Sequence, residues 1–126
     1  LEEALDALRR RGIPFGVVSS SWRWYVEHCL RELGMYEDAA VIVTGSDGLP
    51  LKPAPAPYQA AARVFRPAPP GAVLAVEDSG SGVRSAVAAG LACAAVYNPD
   101  SGAQDLSPAR WRLNSLYELP ALLDGN

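Results

Sequence analysis

The sequence predicts an α/β fold in which helices cover both faces of a parallel sheet. Segments with the helical spacing of apolar residues alternate along the chain with short apolar runs rich in β-branched residues. Two of these runs end in serines or acids just before a new helix, as strands of open parallel sheets do. A length of 126 residues with 49% hydrophobic content suits one domain, residues 1–126, with a real core.

The predicted elements alternate from the first residue onwards. Helices are expected at 1–11, 22–33, 58–65, 81–89 and 116–123, and strands at 13–19, 40–44, 73–76, 92–96 and, weakly, 109–113. Gly12, Gly34 and Gly90 end three of the helices, because glycine suits the position after a helix. The alternating prolines of 51–57 form a stiff extended arm and forbid a helix before Pro57, which suits a first helical position.

The second helix carries apolar residues on one face, which we expect to be buried: Trp22, Val26, Cys29, Leu30 and Leu33. Trp24 and Tyr25 lie elsewhere on this helix, and ordinary packing is favoured over a place in a substrate pocket. The only histidine, His28, is interpreted as a surface or packed residue.

Composition argues against several classes of partner. The net charge is −3, so we expect neither a nucleic-acid partner nor a membrane surface. The apolar runs are too short to span a bilayer, and no signal peptide is visible. Cys29 and Cys93 have no metal-binding or redox spacing, which predicts free thiols in a reducing compartment and a cytoplasmic location.

Two adjacent carboxylates, Glu77 and Asp78, end the strand at 73–76, which we expect to be buried on both faces. Parallel sheets bind ligands at the carboxyl ends of their strands, and neighbouring carboxylates repel unless they share a cation. Mg²⁺ takes oxygen ligands and commonly one or two carboxylates, so it is the simplest candidate. A solvated acidic turn is the alternative. Ser79 is the expected N-cap of the next helix.

A second cluster of polar residues predicts a phosphate site. Ser19, Ser20 and Ser21 end the first strand immediately before a helix, where hydroxyls and free backbone N–H groups bind anions. Lys52, the only lysine, sits on the stiff proline arm and suits a point charge directed at phosphate. The alternatives are that Ser21 merely caps the helix and that Lys52 is simply exposed.

Three separated segments carry a resemblance to a known family: VVSSS at 17–21, LKPAPAPY at 51–58 and VEDSGSGVRSAVAAGL at 76–91. In this order and spacing they resemble the second, third and fourth motifs of the haloacid dehalogenase-like hydrolases. The branch that contains phosphoglycolate phosphatases and β-phosphoglucomutase is the most similar. The resemblance implies a Rossmann-like three-layer α/β/α core.

The resemblance implies a role for each matching residue. Ser19 would hydrogen-bond the transferring phosphoryl group, helped by the backbone N–H of Ser20. Lys52 would neutralise phosphate charge and steady the nucleophile. These roles agree with the chemistry of phosphoryl transfer, which depends mostly on positioning and on charge neutralisation.

The same resemblance assigns the metal. Asp78 would hold Mg²⁺, Glu77 would be a direct or water-mediated partner, and Ser79 would help orient these groups. The implied function is a magnesium-dependent phosphatase that acts on a small phosphorylated metabolite through an aspartyl-phosphate intermediate. A phosphomutase and a non-catalytic module that binds phosphate or a partner remain alternatives. A nucleotide-binding domain is disfavoured because Ser85 replaces the third glycine of that fingerprint.

Two departures from the family pattern matter. Ala56 stands where the family usually has an Asp that caps a helix, which predicts a loss of about 1 kcal/mol of local stability. The Asp-x-Asp motif of the family's central first strand, which supplies the nucleophile, is absent from these 126 residues, as is the cap domain that follows it. We therefore expect that the chain is the carboxyl-terminal part of a longer protein.

We expect the isolated 126-residue chain to unfold in urea with low stability and poor cooperativity. Four buried aliphatic residues of a missing central strand, at about 1.5–3 kcal/mol each, represent roughly 6–12 kcal/mol of lost burial. That loss rivals the whole stability of a typical domain, about 5–15 kcal/mol. Cooperative unfolding with ordinary stability would contradict this expectation.

Overall fold

Helices and strands alternate along the chain in the computed structural model, which describes residues 1–125; Asn126, the last residue of the predicted domain, lies outside the described residues. The helices are α1 Glu2–Arg10, α2 Arg23–Glu32, α3 Ala56–Arg63, α4 Gly80–Ala88 and α5 Leu119–Leu123. The strands are β1 Val17–Val18, β2 Ile42–Val43, β3 Leu74–Glu77, β4 Ala92–Val96 and β5 Trp111–Leu113. The predicted α/β class is confirmed.

The strands form two parallel sheets. In the first, β1 pairs with β2, with Val17 opposite Ile42. In the second, the strand order is β3-β4-β5. Within residues 1–125 no backbone ladder joins β1 to β3. A pocket of about 880 Å³ has Val18 of β1 and Val76 of β3 among its lining residues. The pocket between β1 and β3 therefore lies at the position that the resemblance gives to the family's central first strand, whose motif is absent from these 126 residues.

Strands β1 and β2 are shorter than the segments 13–19 and 40–44 that were predicted for them. The N–H of Ile13 donates to the carbonyl of Leu8 at the end of α1, and Pro14 has no N–H to donate. Pairing with the segment of β2 therefore begins only at Phe15, whose carbonyl accepts the N–H of Ala40 at 2.8 Å.

The predicted face of α2 is only partly correct. Val26 and Leu30 are buried, but Trp22 is 66% exposed and Leu33 is 51% exposed. Trp22 is the residue before the helix and has an extended backbone, so the helical spacing does not place its side chain. Because Trp22 is the N-cap, Ser21 lies one residue too early to cap α2. The N–H of Arg23, the first residue of the helix, donates instead to the Ser46 hydroxyl at 2.9 Å.

The core lies between α3, α4 and the β3-β4 pair. Its buried members are Tyr58, Ala75, Val83, Ala86, Leu91, Cys93 and Ala95. The expected burial of β3 on both faces is wrong for Val76, which is 39% exposed because it lines the pocket between the sheets. The small residues of α4 let this helix pack closely, and Ser85 and Ala86 are fully buried.

Both cysteines are free thiols, Cys93 buried and Cys29 half-buried. Burial, with a smaller contribution from the charge of Glu77, raises the pKa of Cys93 to about 11. Cys93 therefore behaves as a small apolar core residue. Among the described residues, no helix has both the length and the hydropathy that a membrane span needs.

The turn after β2 depends on the carboxylate of Asp47. It accepts the N–H of Thr44 at 2.8 Å and the guanidinium of Arg23 at 3.0 Å. The Thr44 N–H, followed by Arg23, lowers the pKa of Asp47, against an opposing effect of burial.

We expect Asp47→Asn to lower the free energy of unfolding of the full chain, meaning the longer protein that contains these 126 residues, by about 1 kcal/mol near neutral pH. A lowered folded pKa means that the stabilisation is present above the unfolded value of about 3.9 and is lost as the pH falls through the folded value. Urea unfolding at several pH values should therefore show the difference from wild type narrowing below about pH 4. Asp100→Asn is the control, because the Asp100 carboxylate has no recorded ion pair or hydrogen bond within residues 1–125. A difference that stays constant with pH would contradict this account.

Candidate active site

The pocket between the two sheets brings together residues from three parts of the chain. Ser19 and Ser20 follow β1, Lys52 comes from the proline arm, and Asp78 follows β3. Because the carboxyl ends of parallel strands meet at one edge of a sheet, residues far apart in sequence converge there.

The serine turn is held closely against the loop after β2. The N–H of Ser19 donates to the Val43 carbonyl at 2.9 Å, and the Ser19 hydroxyl accepts the N–H of Ser21 at 3.1 Å. Gly45 allows this approach, because a Cβ at that position would collide with the Ser20 carbonyl oxygen. Ser20 itself is exposed at the pocket. Hydroxyls and a solvent-facing backbone turn are suited to an anion.

Lys52 lies between the two sheets. Its ammonium donates to the Val18 carbonyl of β1 at 3.1 Å and to the Glu77 carboxylate of β3 at 2.6 Å. The side chain is only 11% exposed, so the alternative of a simply exposed lysine is wrong. The proline arm is a turn and not the extended segment that the sequence predicts, because the N–H of Ala54 donates to the Leu51 carbonyl at 3.0 Å. This turn is fixed to α4, where the Ser85 hydroxyl donates to the Ala54 carbonyl at 2.6 Å.

Glu77 is a buried carboxylate with two donors on one oxygen. Besides Lys52, the Tyr58 hydroxyl donates to Glu77 Oε2. Burial, followed by the charge of Glu77, raises the pKa of Tyr58, which keeps its hydroxyl protonated and able to donate. Gly82 leaves room for the carboxylate, since a Cβ there would collide with Glu77 Oε1.

Asp78 points to different partners from its neighbour. Its Oδ2 accepts the Asn98 side-chain amide at 2.9 Å and the Ser101 hydroxyl at 3.3 Å. Asp78 lines the pocket, and within residues 1–125 its carboxylate is in no ion pair. Ser79 is the N-cap of α4, as predicted, because its hydroxyl accepts the N–H of Gly82 at 3.1 Å.

The start of helix α3 and the exposed residues of α2 differ in part from the predictions. Helix α3 begins at Ala56, so Pro57 is its second residue and not its first. The N-cap of α3 is Pro55, whose side chain makes no capping hydrogen bond, so position 56 is the first residue of the helix and not the predicted cap. Trp24 and Tyr25 are 71% and 50% exposed, so the favoured packing role is wrong; they contact each other edge to face, with ring centroids 5.8 Å apart. His28 is exposed, as the surface interpretation expects.

Sequence reasoning missed five residues of the site: Tyr58, Gly82, Ser85, Asn98 and Ser101. Four of them act through a partner 19 to 31 positions away, and Gly82 acts through the space that it leaves. Local spacing carries no sign of such pairs. A usable signal existed only for Asn98, which follows β4 at the same edge of the sheet as Asp78.

Comparison with known proteins identifies the family. The description "haloacid dehalogenase-like hydrolase" belongs to the family profile that matches residues 1–90. The chain belongs to the haloacid dehalogenase-like hydrolases, the class that the fold and the converging serine, lysine and aspartate motifs indicated.

Similar proteins refine this assignment. The Bacillus subtilis protein YhcW, named among the phosphatases, is 35% identical over 127 residues, covering 98% of this chain and 57% of its own. The validoxylamine A 7'-phosphate phosphatase of Streptomyces hygroscopicus subsp. limoneus is 31% identical over 118 residues, covering 86% of this chain and 55% of its own. The chain thus spans a little over half the length of these curated relatives.

Solved structures agree with the branch. A mutant of CbbY from Rhodobacter sphaeroides, crystallised in complex with xylulose-(1,5)bisphosphate, is 30% identical with a TM-score of 0.85, covering 94% of this chain and 53% of that chain. A protein described as a β-phosphoglucomutase, from Thermotoga maritima, is 26% identical with a TM-score of 0.77, covering 98% of this chain and 58% of that chain. The branch of phosphoglycolate phosphatases and β-phosphoglucomutase is confirmed.

We expect Gly82→Ala to destabilise the full chain by about 1–3 kcal/mol, because the added Cβ displaces the buried Glu77 carboxylate from its donors. Gly71→Ala is the matched control, since a Cβ at that exposed position meets no atom within 4 Å. Urea midpoints for the two variants give the comparison, and equal stabilities would show that Glu77 does not need the space at Gly82.

Proposed function

We propose that this chain provides the phosphate-binding and metal-binding half of a magnesium-dependent phosphatase. Its substrate would be a small phosphorylated metabolite, and the reaction would pass through an aspartyl-phosphate intermediate. The observation that carries the proposal is the convergence of Ser19, Lys52 and Asp78 on one pocket. The relatives support it, since two are named phosphatases and another was crystallised with a sugar bisphosphate.

Phosphate binding falls to the serine turn and the lysine. The Ser19 hydroxyl and the backbone N–H of Ser20 would donate to phosphoryl oxygens at the pocket. The ammonium of Lys52 would offset their negative charge, and its two anchors hold it between the sheets. Phosphoryl transfer needs this positioning and neutralisation more than it needs covalent chemistry from the protein.

Asp78 is the residue that we assign to Mg²⁺. No group of three or more His, Cys, Asp and Glu side chains that could hold a metal occurs among the described residues. Mg²⁺ nevertheless fits, because it commonly takes only one or two carboxylates and completes its ligands with water and phosphate. Asp78 has both donors on Oδ2, which leaves Oδ1 for a cation. When bound, Mg²⁺ would neutralise charge on the phosphoryl group.

Glu77 supports the metal less directly. Its Oε2 already accepts Lys52 and Tyr58, and its carboxylate is 6% exposed. We therefore assign it to holding Lys52 in place, with any contact to Mg²⁺ made through water. Ser79, as N-cap of α4, would keep the turn after Asp78 in position.

The nucleophile would come from an extended segment outside the 126 residues that enters between β1 and β3. Two features support this: the sheets are not joined there within residues 1–125, and Ser19 and Asp78 both line the pocket that lies between them. A strand in that position would pair with both neighbours and place its carboxyl end beside the phosphate and metal residues. In this account residues 1–126 form the carboxyl-terminal part of the core domain.

The cellular setting is part of the same proposal. Free thiols at Cys29 and Cys93 are typical of a reducing compartment, and we place the protein in the cytoplasm.

We expect Asp78→Ala in the full chain to lower Mg²⁺-dependent phosphate release by on the order of 100-fold or more, because the cation loses its ligand. The assay is release of phosphate from p-nitrophenyl phosphate and from a panel of sugar phosphates. Glu37→Gln, which changes an exposed carboxylate between α2 and β2, is the control and should keep the wild-type rate. An Asp78→Ala enzyme at full rate would mean that the site is misassigned.

The alternative, a module that binds phosphate or a partner without catalysis, predicts a different result. The wild-type full chain would then take up phosphate and Mg²⁺ in calorimetric titrations and release none from any substrate. A phosphomutase would instead move the phosphoryl group between positions of a sugar phosphate, which analysis of the products detects.

A further inference from the structure

The loop after β4 folds back onto the carboxyl end of β3, where two of its side chains donate hydrogen bonds to the same oxygen atom. Asn98 Nδ2 donates to Asp78 Oδ2 at 2.9 Å, and the Ser101 hydroxyl donates to the same oxygen at 3.3 Å. Both hydrogen bonds are part-buried, so they are sheltered from bulk water. Hydrogen bonds to a charged acceptor are about twice as strong as those between neutral groups.

The orientation of the Asn98 amide follows from its other partner. Asn98 Oδ1 accepts the N–H of Asp100 at 3.0 Å, and Asn98 is the N-cap of the short 3₁₀ turn Pro99–Ser101. An N–H group can only donate and an ionised carboxylate can only accept, so the amide oxygen must face Asp100 and the amide nitrogen must face Asp78. The turn that Asn98 caps also carries Ser101 to the same oxygen.

The far end of this loop is tied to the start of α4. Gln104 Oε1 accepts the N–H of Gly80 at 2.9 Å, and Gln104 Nε2 donates to the Ser101 carbonyl at 2.9 Å. The loop is therefore joined to Asp78 on one side and to the helix that follows Asp78 on the other. These bonds restrict the rotation of the Asp78 carboxylate.

The charge of Asp78 is oriented by this loop without being neutralised. Within residues 1–125 its recorded partners are neutral, whereas the neighbouring carboxylate of Glu77 is paired with Lys52. Both donors are on Oδ2, so Oδ1 has no donor among the described residues, and Asp78 is one of the residues that line the pocket. An oriented and unneutralised carboxylate oxygen is what a hard divalent cation binds.

We propose that Asn98 and Ser101 are positioning residues that hold Asp78 for Mg²⁺, with Asn98 as the main one. This inference rests on the proposed function, since it takes Asp78 as the metal ligand. It assigns a role to the loop after β4, which none of the serine, lysine and acidic motifs includes. Partners that orient a metal ligand commonly contribute about 10–100-fold to metal affinity.

The test measures Mg²⁺ binding to the full chain by calorimetry, without substrate. Asn98→Ser keeps a short acceptor for the Asp100 N–H and removes the amide that reaches Asp78, so we expect the dissociation constant for Mg²⁺ to rise by about 10-fold or more. Ser101→Ala should raise it by a smaller factor. Ser107→Ala is the matched control, because it removes a hydroxyl bonded to Asp105, at 2.7 Å, in the same loop.

Thermal melting without Mg²⁺ separates positioning from a purely structural role. We expect Ser101→Ala and Ser107→Ala to have the same melting temperature without Mg²⁺ and to differ in their affinity for Mg²⁺. If the wild type binds Mg²⁺ and the Asn98 and Ser101 variants bind it equally well, the inference is overturned and the proposed function stands. If the wild type binds no Mg²⁺, both are overturned. If Asn98→Ser fails to fold, Ser101→Ala against Ser107→Ala still decides.

Discussion

The ion pair between Lys52 and Glu77 is the interaction on which the rest of the structure depends. Its two side chains are 11% and 6% exposed, and it joins the sheet of β3 to a lysine that also bonds the carbonyl of Val18 in β1. Removing one member of a buried pair leaves an uncompensated charge and commonly costs about 3–5 kcal/mol. This pair therefore connects the two sheets through Lys52, and both of its residues line the pocket.

Much of the surrounding sequence serves this pair. Tyr58 supplies the second donor to the carboxylate, Gly82 leaves the space in which the carboxylate lies, and Ser85 ties down the arm that carries the lysine. Buried polar groups are stable only when their hydrogen bonds are satisfied, and no buried side-chain N or O atom among the described residues lacks a partner. A tyrosine, a glycine and a serine that look ordinary in sequence thus have one common purpose.

The pair also explains how two adjacent carboxylates serve different ends. Successive residues at the end of a strand point in different directions, so Glu77 turns into the core toward Lys52 while Asp78 faces the pocket beside Asn98. The repulsion that adjacent acids imply is relieved by giving each its own partners. One carboxylate then acts as a structural counter-ion, and the other keeps its negative charge available.

By itself the sequence determined the α/β class, the order of the elements and the segments that carry Ser19, Lys52 and Asp78. Apolar spacing and turn residues are local, and the rule that parallel strands bind ligands at their carboxyl ends does the rest. Only the tertiary structure decided that Glu77 pairs with Lys52 and Tyr58, that Asn98 holds Asp78, and that Trp22 and Val76 are exposed. The three contacts join residues 19 to 25 positions apart, and no local pattern encodes them. The exposure of Val76 depends on the neighbours of β3, and that of Trp22 depends on the residue at which α2 begins.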